Sequence, residues 1–323
     1  MMHKEELLAI GNDRLRRLAT YASVSVAVVL IGTKLAAFFM TDSVTMLSSL
    51  LDSTIDLIAS LVTVYGVANA LRPPDREHRF GHGKAEPLAA LAQAAFIVGS
   101  SVLLAYEALS RFYNPHEIQN ETTGYAVMGL AIVLTIFLIS FQRYVIRRTG
   151  SMAIGADRFH YVGDLAINVA VIAAFVLHQF TGLLWFDPAF ALMIAVGLIA
   201  GAWHIATHAL TVLMDRELPN EDRAKIRTLV TALPYVKGLH DMRTRSDSDR
   251  AFIELHVEMD GEMTLRTAHE VAENIEAVVR KVFPNADVLI HQDPAGVKEP
   301  RLDEQIEANV RLDDLSHRHH HHH

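Results

Sequence analysis

Asp52 and Asp56 stand four residues apart inside a long apolar stretch, and His160 and Asp164 repeat that spacing in another. Residues i and i+4 lie one above the other on a helix face, so each stretch would present two ligand-type groups one turn apart. Three carboxylates and one imidazole are the number and type of donors that close a tetrahedral shell around a divalent ion such as zinc. Their placement is costly. One Asp near the centre of a membrane helix costs about 2.5–3.5 kcal/mol to insert, so three approach roughly 10 kcal/mol unless something offsets them. A bound cation would do so. The competing reading is that these groups line a wet crevice or pair with Lys34 and Arg158. Two such pairs on separate stretches are hard to obtain by accident, which favours the cation.

Two further sets of ligand-type residues lie outside the apolar stretches. Asp75, His78 and His82 fall in one short segment in which Gly81 and Gly83 permit tight turns, so the three side chains could converge. Surface loops also hold His and Asp for solubility, and spacing alone does not separate the two readings. Nearer the C-terminus, Ile253, Leu255, Val257 and Met259 alternate with Glu254, His256 and Glu258, which puts His256 on the polar face of a strand. His291 and Asp293 share a strand face by the same rule, and His240 and His269 are close by in sequence. Any one of these histidines fits a solvated or core role; the set fits metal binding better. His3, His116, His178, His204, His208 and His317 belong to termini, outward loops or a span end. The run from His319 to His323 reads as an expression tag and is left out of the ligand count.

The elements that must position these groups follow from hydropathy. The 323 residues are 51% hydrophobic, with a mean hydropathy of +0.21, and the apolar residues concentrate before about residue 213. A bilayer core about 30 Å thick needs about 20 apolar helical residues. Six stretches meet that length, near 15–40, 45–71, 86–112, 123–146, 153–179 and 188–213. No signal-peptide pattern precedes the first, which is expected to stay in the mature protein. Lys4, Arg14, Arg16, Arg17, Arg72, Arg76, Arg79, Lys84, Arg143, Arg147, Arg148 and Arg158 would all lie on one side, against Arg111 on the other. The bias predicts cytoplasmic N- and C-termini, with outward loops at 41–43, 113–122 and 180–187. After Met214 the pattern predicts a helix at 219–232, strands at 238–246 and 251–259, a helix at 264–283 and a strand at 286–292. The predicted fold is thus a membrane all-α six-helix transmembrane domain (1–214) plus a small cytoplasmic α+β domain of α-β-β-α-β order (215–297). Residues 298–323 are charged and aperiodic, and are expected to fray as a disordered tail.

Composition excludes other classes. With no cysteine, disulfides and thiolate metal sites are ruled out, which leaves imidazole and carboxylate ligands. A net charge of -8 without a basic patch argues against nucleic acid as a partner. An intramembrane metalloenzyme would need an open coordination position, and neither an H-E-x-x-H stretch nor a Glu-x-x-His pair stands in the spans. A membrane metal sensor remains a third reading, told apart by whether purified protein moves ions.

At these residues the sequence resembles the cation diffusion facilitator family, from about residue 15 to about 296. The likeness is carried by the stretch from Leu47 to Asp56, the loop from Phe80 to Glu86, the pair His160 and Asp164, and the ending His291-Gln292-Asp293-Pro294. The resemblance implies a homodimer in a bilayer, a metallochaperone-like cytoplasmic domain, and export of divalent metal from the bacterial cytoplasm across the inner membrane in exchange for protons. It implies a transport site of Asp52, Asp56, His160 and Asp164, a loop site of Asp75, His78 and His82, and a cytoplasmic binuclear site of His240, His256, His291 and Asp293 with His269 nearby. It also implies a salt bridge of Lys84 with Asp215 near the membrane surface that ties the protomers together. Manganese-selective relatives carry Asn at a transport ligand; here none does, which favours Zn2+, with Cd2+ or Fe2+ as alternatives.

Overall fold

A computed structural model describes residues 2–41, 44–113, 122–247 and 250–319. Two compact units divide between Leu213 and Met214. The first holds α1 (Met2–Thr41), α2 (Val44–Ala70), α3 (Ala85–Tyr113), α4 (Thr122–Thr149), α5 (Met152–Thr181) and α6 (Phe186–Leu213). All six are long and apolar enough to cross a membrane. Of the expected outward loops, residues 42–43 and 114–121 lie outside the described residues. The turn after α5 is made by Gly182 at φ 73°, a left-handed position that closes the helix by donating to the His178 carbonyl.

This unit is built small side inward. Ala19, Ala59, Ala90, Ala94, Ala195 and Ala202 are buried, whereas Leu103, Phe137 and Trp203 point outward, Trp203 at 72% exposure. A water-soluble bundle would do the reverse. In lipid there is no hydrophobic gain from burying large apolar side chains, so helices associate through small residues that let backbones approach. Gly66 on α2 shows how close: a Cβ there would stand 2.3 Å from the Ala89 Cβ of α3. The most extensive packing is between α3 and α6, and α2 also meets α5, the contact that brings Asp56 to His160.

The second unit holds α7 (Asn220–Thr231), β1 (Gly238–Ser246), β2 (Ala251–Met259), α8 (Leu265–Val282), β3 (Asp287–Pro294) and α9 (Leu302–His319). Its sheet runs β1-β2-β3, antiparallel between β1 and β2 and parallel between β2 and β3. Strand alternation drives Ile253, Leu255, Val257 and Met259 into a core with Ile226 and Val230 of α7 and Ile275 and Val279 of α8. Thr264 caps α8 by accepting from the Thr267 N–H.

The α-β-β-α-β order stands as the sequence predicts, but the tail does not. Residues 298–323 were expected to be disordered, and α9 forms there instead, with 320–323 outside the described residues. Its reason is tertiary. The Asp241 carboxylate accepts from the backbone N–H groups of Leu302 and Asp303, each at 2.9 Å, and Asp303 accepts in return from the Asp241 N–H at 3.0 Å. These bonds satisfy amides that open a helix and have no partner within it. Charge pattern along the tail carries no trace of a cap supplied by residue 241.

Gly66→Ala should force α2 and α3 apart, costing about 1–3 kcal/mol as overpacking does. Thermal unfolding in detergent should show the loss, and Ala89→Gly in the same chain should restore most of it.

Candidate metal centre

In the membrane unit, α5 carries His160, Asp164 and, one turn earlier, Asp157, while α2 carries Asp56. His160 is 6% exposed; its Nε2 stands 2.9 Å from Asp56 Oδ1 and 3.7 Å from Asp164 Oδ2. One ligand atom from each of the three falls within 4.8 Å of the others, so one ion could touch all three. The i,i+4 spacing on α5 and the contact with α2 thus bring three of the four residues together. Asp52, one turn before Asp56 on α2, is exposed and stays outside the group. Lys34 donates to the Ser53 hydroxyl at 2.6 Å and to the Ser49 carbonyl at 3.1 Å on α2, and Arg158 Nε is buried with no hydrogen-bond partner among the described residues.

Asp157, which the spacing argument passes over, is 1% exposed and lies at a junction of five helices. Its carboxylate accepts from Gln142 Nε2 at 2.7 Å, Gln93 Nε2 at 3.1 Å and Ser60 Oγ at 3.5 Å, and from the Ser23 hydroxyl. Gln93 also donates to the Ala59 carbonyl and to Thr63 Oγ1, which ties α3 to α2. A second buried pair, Arg16 with Glu86 at 3.7 Å, lies among α1, α3 and the α4–α5 turn, where Arg16 donates to the Thr149 carbonyl and Ser151 donates to Glu86. The contrast between the carboxylates is chemical. Asp157 is saturated by neutral donors and has no need of a cation, whereas Asp56 and Asp164 converge on a single imidazole. Asp157 is as costly to place inside a span as Asp56, and that cost is the sequence signal for it.

The loop group is assembled by a turn. The Asp75 carboxylate accepts from the His78 N–H at 2.7 Å and the Glu77 N–H at 3.0 Å, and lies 3.4 Å from His78 Nδ1 and 3.3 Å from His82 Nε2. The His78 N–H, first among these partners, holds its carboxyl below the ordinary carboxylate range. Gly81, at φ 88°, supplies the left-handed turn that folds His82 back; Gly83 has no such conformation.

The group in the second unit comes from strand register. His240 lies opposite His256 across β1 and β2, and His256 lies opposite His291 across β2 and β3, so three imidazoles form one row over the sheet. Asp293 sits against the row: Oδ2 is 3.1 Å from His256 Nδ1 and 3.5 Å from His240 Nε2, and Oδ1 is 3.2 Å from His291 Nε2. His240, His256 and Asp293 each offer an atom within 4.8 Å of the others, and the exposed His291 ring lies tilted against that of His256, centroids 4.5 Å apart. His269 stays outside the group, exposed on α8 beside Glu273 at 3.4 Å. Two histidines and a carboxylate suit zinc or a similar divalent ion. Lys84 donates to the Leu213 carbonyl at 3.4 Å, and Asp215 lies 3.5 Å from Arg245 Nη1.

Six apolar helices with an Asp-His-Asp group among them, joined to a histidine-bearing sheet domain, define a multi-pass membrane protein with side-chain groups that could hold metal cations. Residues 20–214 match the cation efflux transmembrane domain, and residues 218–295 match the cytoplasmic domain of cation efflux proteins. The chain belongs to the cation efflux, or cation diffusion facilitator, family of metal transporters. It is 42% identical over 282 residues to the cation-efflux pump FieF of Shewanella oneidensis, covering 87% of this chain and 95% of that one. To the pump of the same name from Serratia proteamaculans it is 41% identical over 284 residues, covering 88% and 94%. The metal-bound C-terminal domain of the CzcD transporter from Thermotoga maritima is 31% identical, covering 24% of this chain and 93% of that one, with a TM-score of 0.24.

Asp157→Ala would leave the Ser23 hydroxyl without its acceptor, at about 1–3 kcal/mol, and would take one acceptor each from Gln93, which keeps Ala59 and Thr63, and from Gln142, which keeps Ser23. Its melting temperature in detergent should fall well below that of Asp157→Asn, which keeps one acceptor oxygen.

Proposed function

We propose that the chain exports a divalent transition metal from the cytoplasm in exchange for protons. Zinc is the first candidate, with cadmium or ferrous iron as alternatives, and the protein works as a homodimer in the bacterial inner membrane with both termini cytoplasmic. The observation that carries this reading is the meeting of Asp56, His160 and Asp164 around one point in the apolar bundle. Asp52 completes the set as fourth ligand: it stands one helical turn before Asp56 on the same face of α2. The names of the similar pumps support efflux of cations as the direction and class.

Antiport follows from the ligand chemistry. An imidazole must give up its proton, and a carboxylate must be ionised, to hold a metal ion, so protons and metal compete for one group. Exposed to the acidic side of a proton gradient, the ligands take protons and release the ion; facing the cytoplasm, they exchange protons for metal. The helices of the bundle supply the two access states by shifting against one another. His160 is the residue best placed to couple the two events, because it touches carboxylates on both ligand helices.

The other groups take supporting roles. His240, His256, His291 and Asp293 hold metal in the cytoplasmic domain and steady the dimer, with His269 joining from its exposed position on α8. Asp75, His78 and His82 form a loop site near the membrane surface. A Lys84–Asp215 salt bridge ties the dimer at that surface.

In proteoliposomes with an imposed pH gradient, Asp52→Ala, Asp56→Ala, His160→Ala and Asp164→Ala should each depress zinc flux beyond the roughly 10–100-fold that outer-shell changes cost. Dimers should persist by size-exclusion chromatography, and undiminished flux in any of these variants would refute its role. Collapsing the gradient should stop uphill transport by the unaltered protein. In the tag-free full-length chain, His256→Ala with His291→Ala should reduce the rise in melting temperature that zinc produces through binding the folded state. The same rise in both proteins would count against the cytoplasmic site.

A further inference from the structure

The matched family regions end at residue 295, and α9 lies beyond them, yet it docks on the residues that frame the cytoplasmic histidines. Asp241, which caps α9, directly follows His240 and sits at φ 46° in an irregular stretch of register between His240 and Arg243. A left-handed conformation is uncommon for Asp, and here it turns the carboxylate toward the Leu302 and Asp303 amides. The second anchor is Arg301, whose guanidinium bonds Glu258 Oε1. That same oxygen lies 3.6 Å from His240 Nδ1, an atom that is buried with no hydrogen-bond partner among the described residues. His240, Glu258, Asp293 and Arg301 line one small pocket.

The imidazole therefore has two ends with different prospects. Nε2 faces Asp293 at 3.5 Å and is the end that would reach an ion shared with His256. A metal-bound imidazole gives its other N–H to a carboxylate, which fixes the ring and raises its basicity. Glu258 is the carboxylate in position to accept from Nδ1, and its near oxygen is engaged by Arg301. An ion at the cluster also places positive charge near the guanidinium, which disfavours Arg301 remaining in the pocket. Both effects act in one direction.

We propose that Arg301, the residue before α9, is a resident cation that competes with metal at the cytoplasmic cluster, so that Glu258 changes partner from Arg301 to His240 when the ion binds and α9 loosens. The inference rests on the reading of His240, His256 and Asp293 as a metal site. By reciprocity, whatever weakens α9 docking tightens metal binding. The C-terminal helix then lowers the site's affinity and reports its occupancy, linking cytoplasmic metal level to the state of the chain's end.

The test uses tag-free full-length protein carrying His160→Ala and His82→Ala to remove the membrane and loop groups. Zinc affinity is read by competition with a fluorescent chelator, and α9 docking by hydrogen exchange of the amides in 301–311. Arg301→Gln should bind zinc about tenfold more tightly, within the range usual for coupled sites. A chain ending at Pro300 should show the same gain and guards against a local effect of the substitution. Zinc should speed exchange across 301–311, and should fail to do so when His256→Ala is added. Equal affinity in the parent, Arg301→Gln and shortened chains, or exchange across 301–311 that zinc leaves unchanged or slows, overturns the competition while the metal site stands. Absence of zinc binding in the parent overturns the metal-site reading and this inference with it.

Discussion

A carboxylate inside an apolar bundle must be satisfied by something other than water, and the membrane unit is organised around two different answers. At Asp157 the answer is a ring of neutral donors contributed by α1, α2, α3 and α4, which leaves a closed polar node. At Asp56 and Asp164 the answer is one imidazole with the Lys34 ammonium in electrostatic range, an arrangement that could hold a cation. The insertion cost of a carboxylate is the same in both places. What differs is the supply of donors around it, which is complete at Asp157 and sparse at Asp56 and Asp164.

The node and the ligand group are also mechanically connected. Asp157 precedes His160 by three residues, so the bonds that fix the first also set the rotation of α5 and the aim of the second. Gln93 extends the node into α3, and α3 packs most extensively with α6. Arg16, Glu86 and Ser151 pin the start of α5 where it leaves α4. Small residues at the helix contacts let these short polar side chains reach across.

In the second unit the organising constraint is register. Because side chains alternate along a strand, pairing His240 with His256 and His256 with His291 puts all three imidazoles on one face, and a slip of one residue in either ladder would scatter them. The core beneath, with Ile253, Leu255 and Val257, enforces that register. The irregularity after His240 frees Asp241 from the ladder, and the chain uses it to hold α9.

Much of this was legible in the sequence. The six spans stand within a few residues of where hydropathy put them, apart from an N-terminal extension of α1, because about 20 apolar residues in a row leave few alternatives. Strands β1 and β2 fall where alternation placed them, and the i,i+4 pairs fall on α2 and α5, the helices that bring Asp56, His160 and Asp164 together. Three things needed tertiary structure. Distance between helices decided that Asp56 meets His160 and Asp164 while Asp52 stands outside. A partner about 60 residues away in the chain decided that the charged tail folds as α9. Donors gathered from four other helices decided that Asp157 belongs to the scaffold. Periodicity and composition are local quantities, so they fix which elements exist and which face each residue takes; which faces come together depends on packing between segments far apart in the chain.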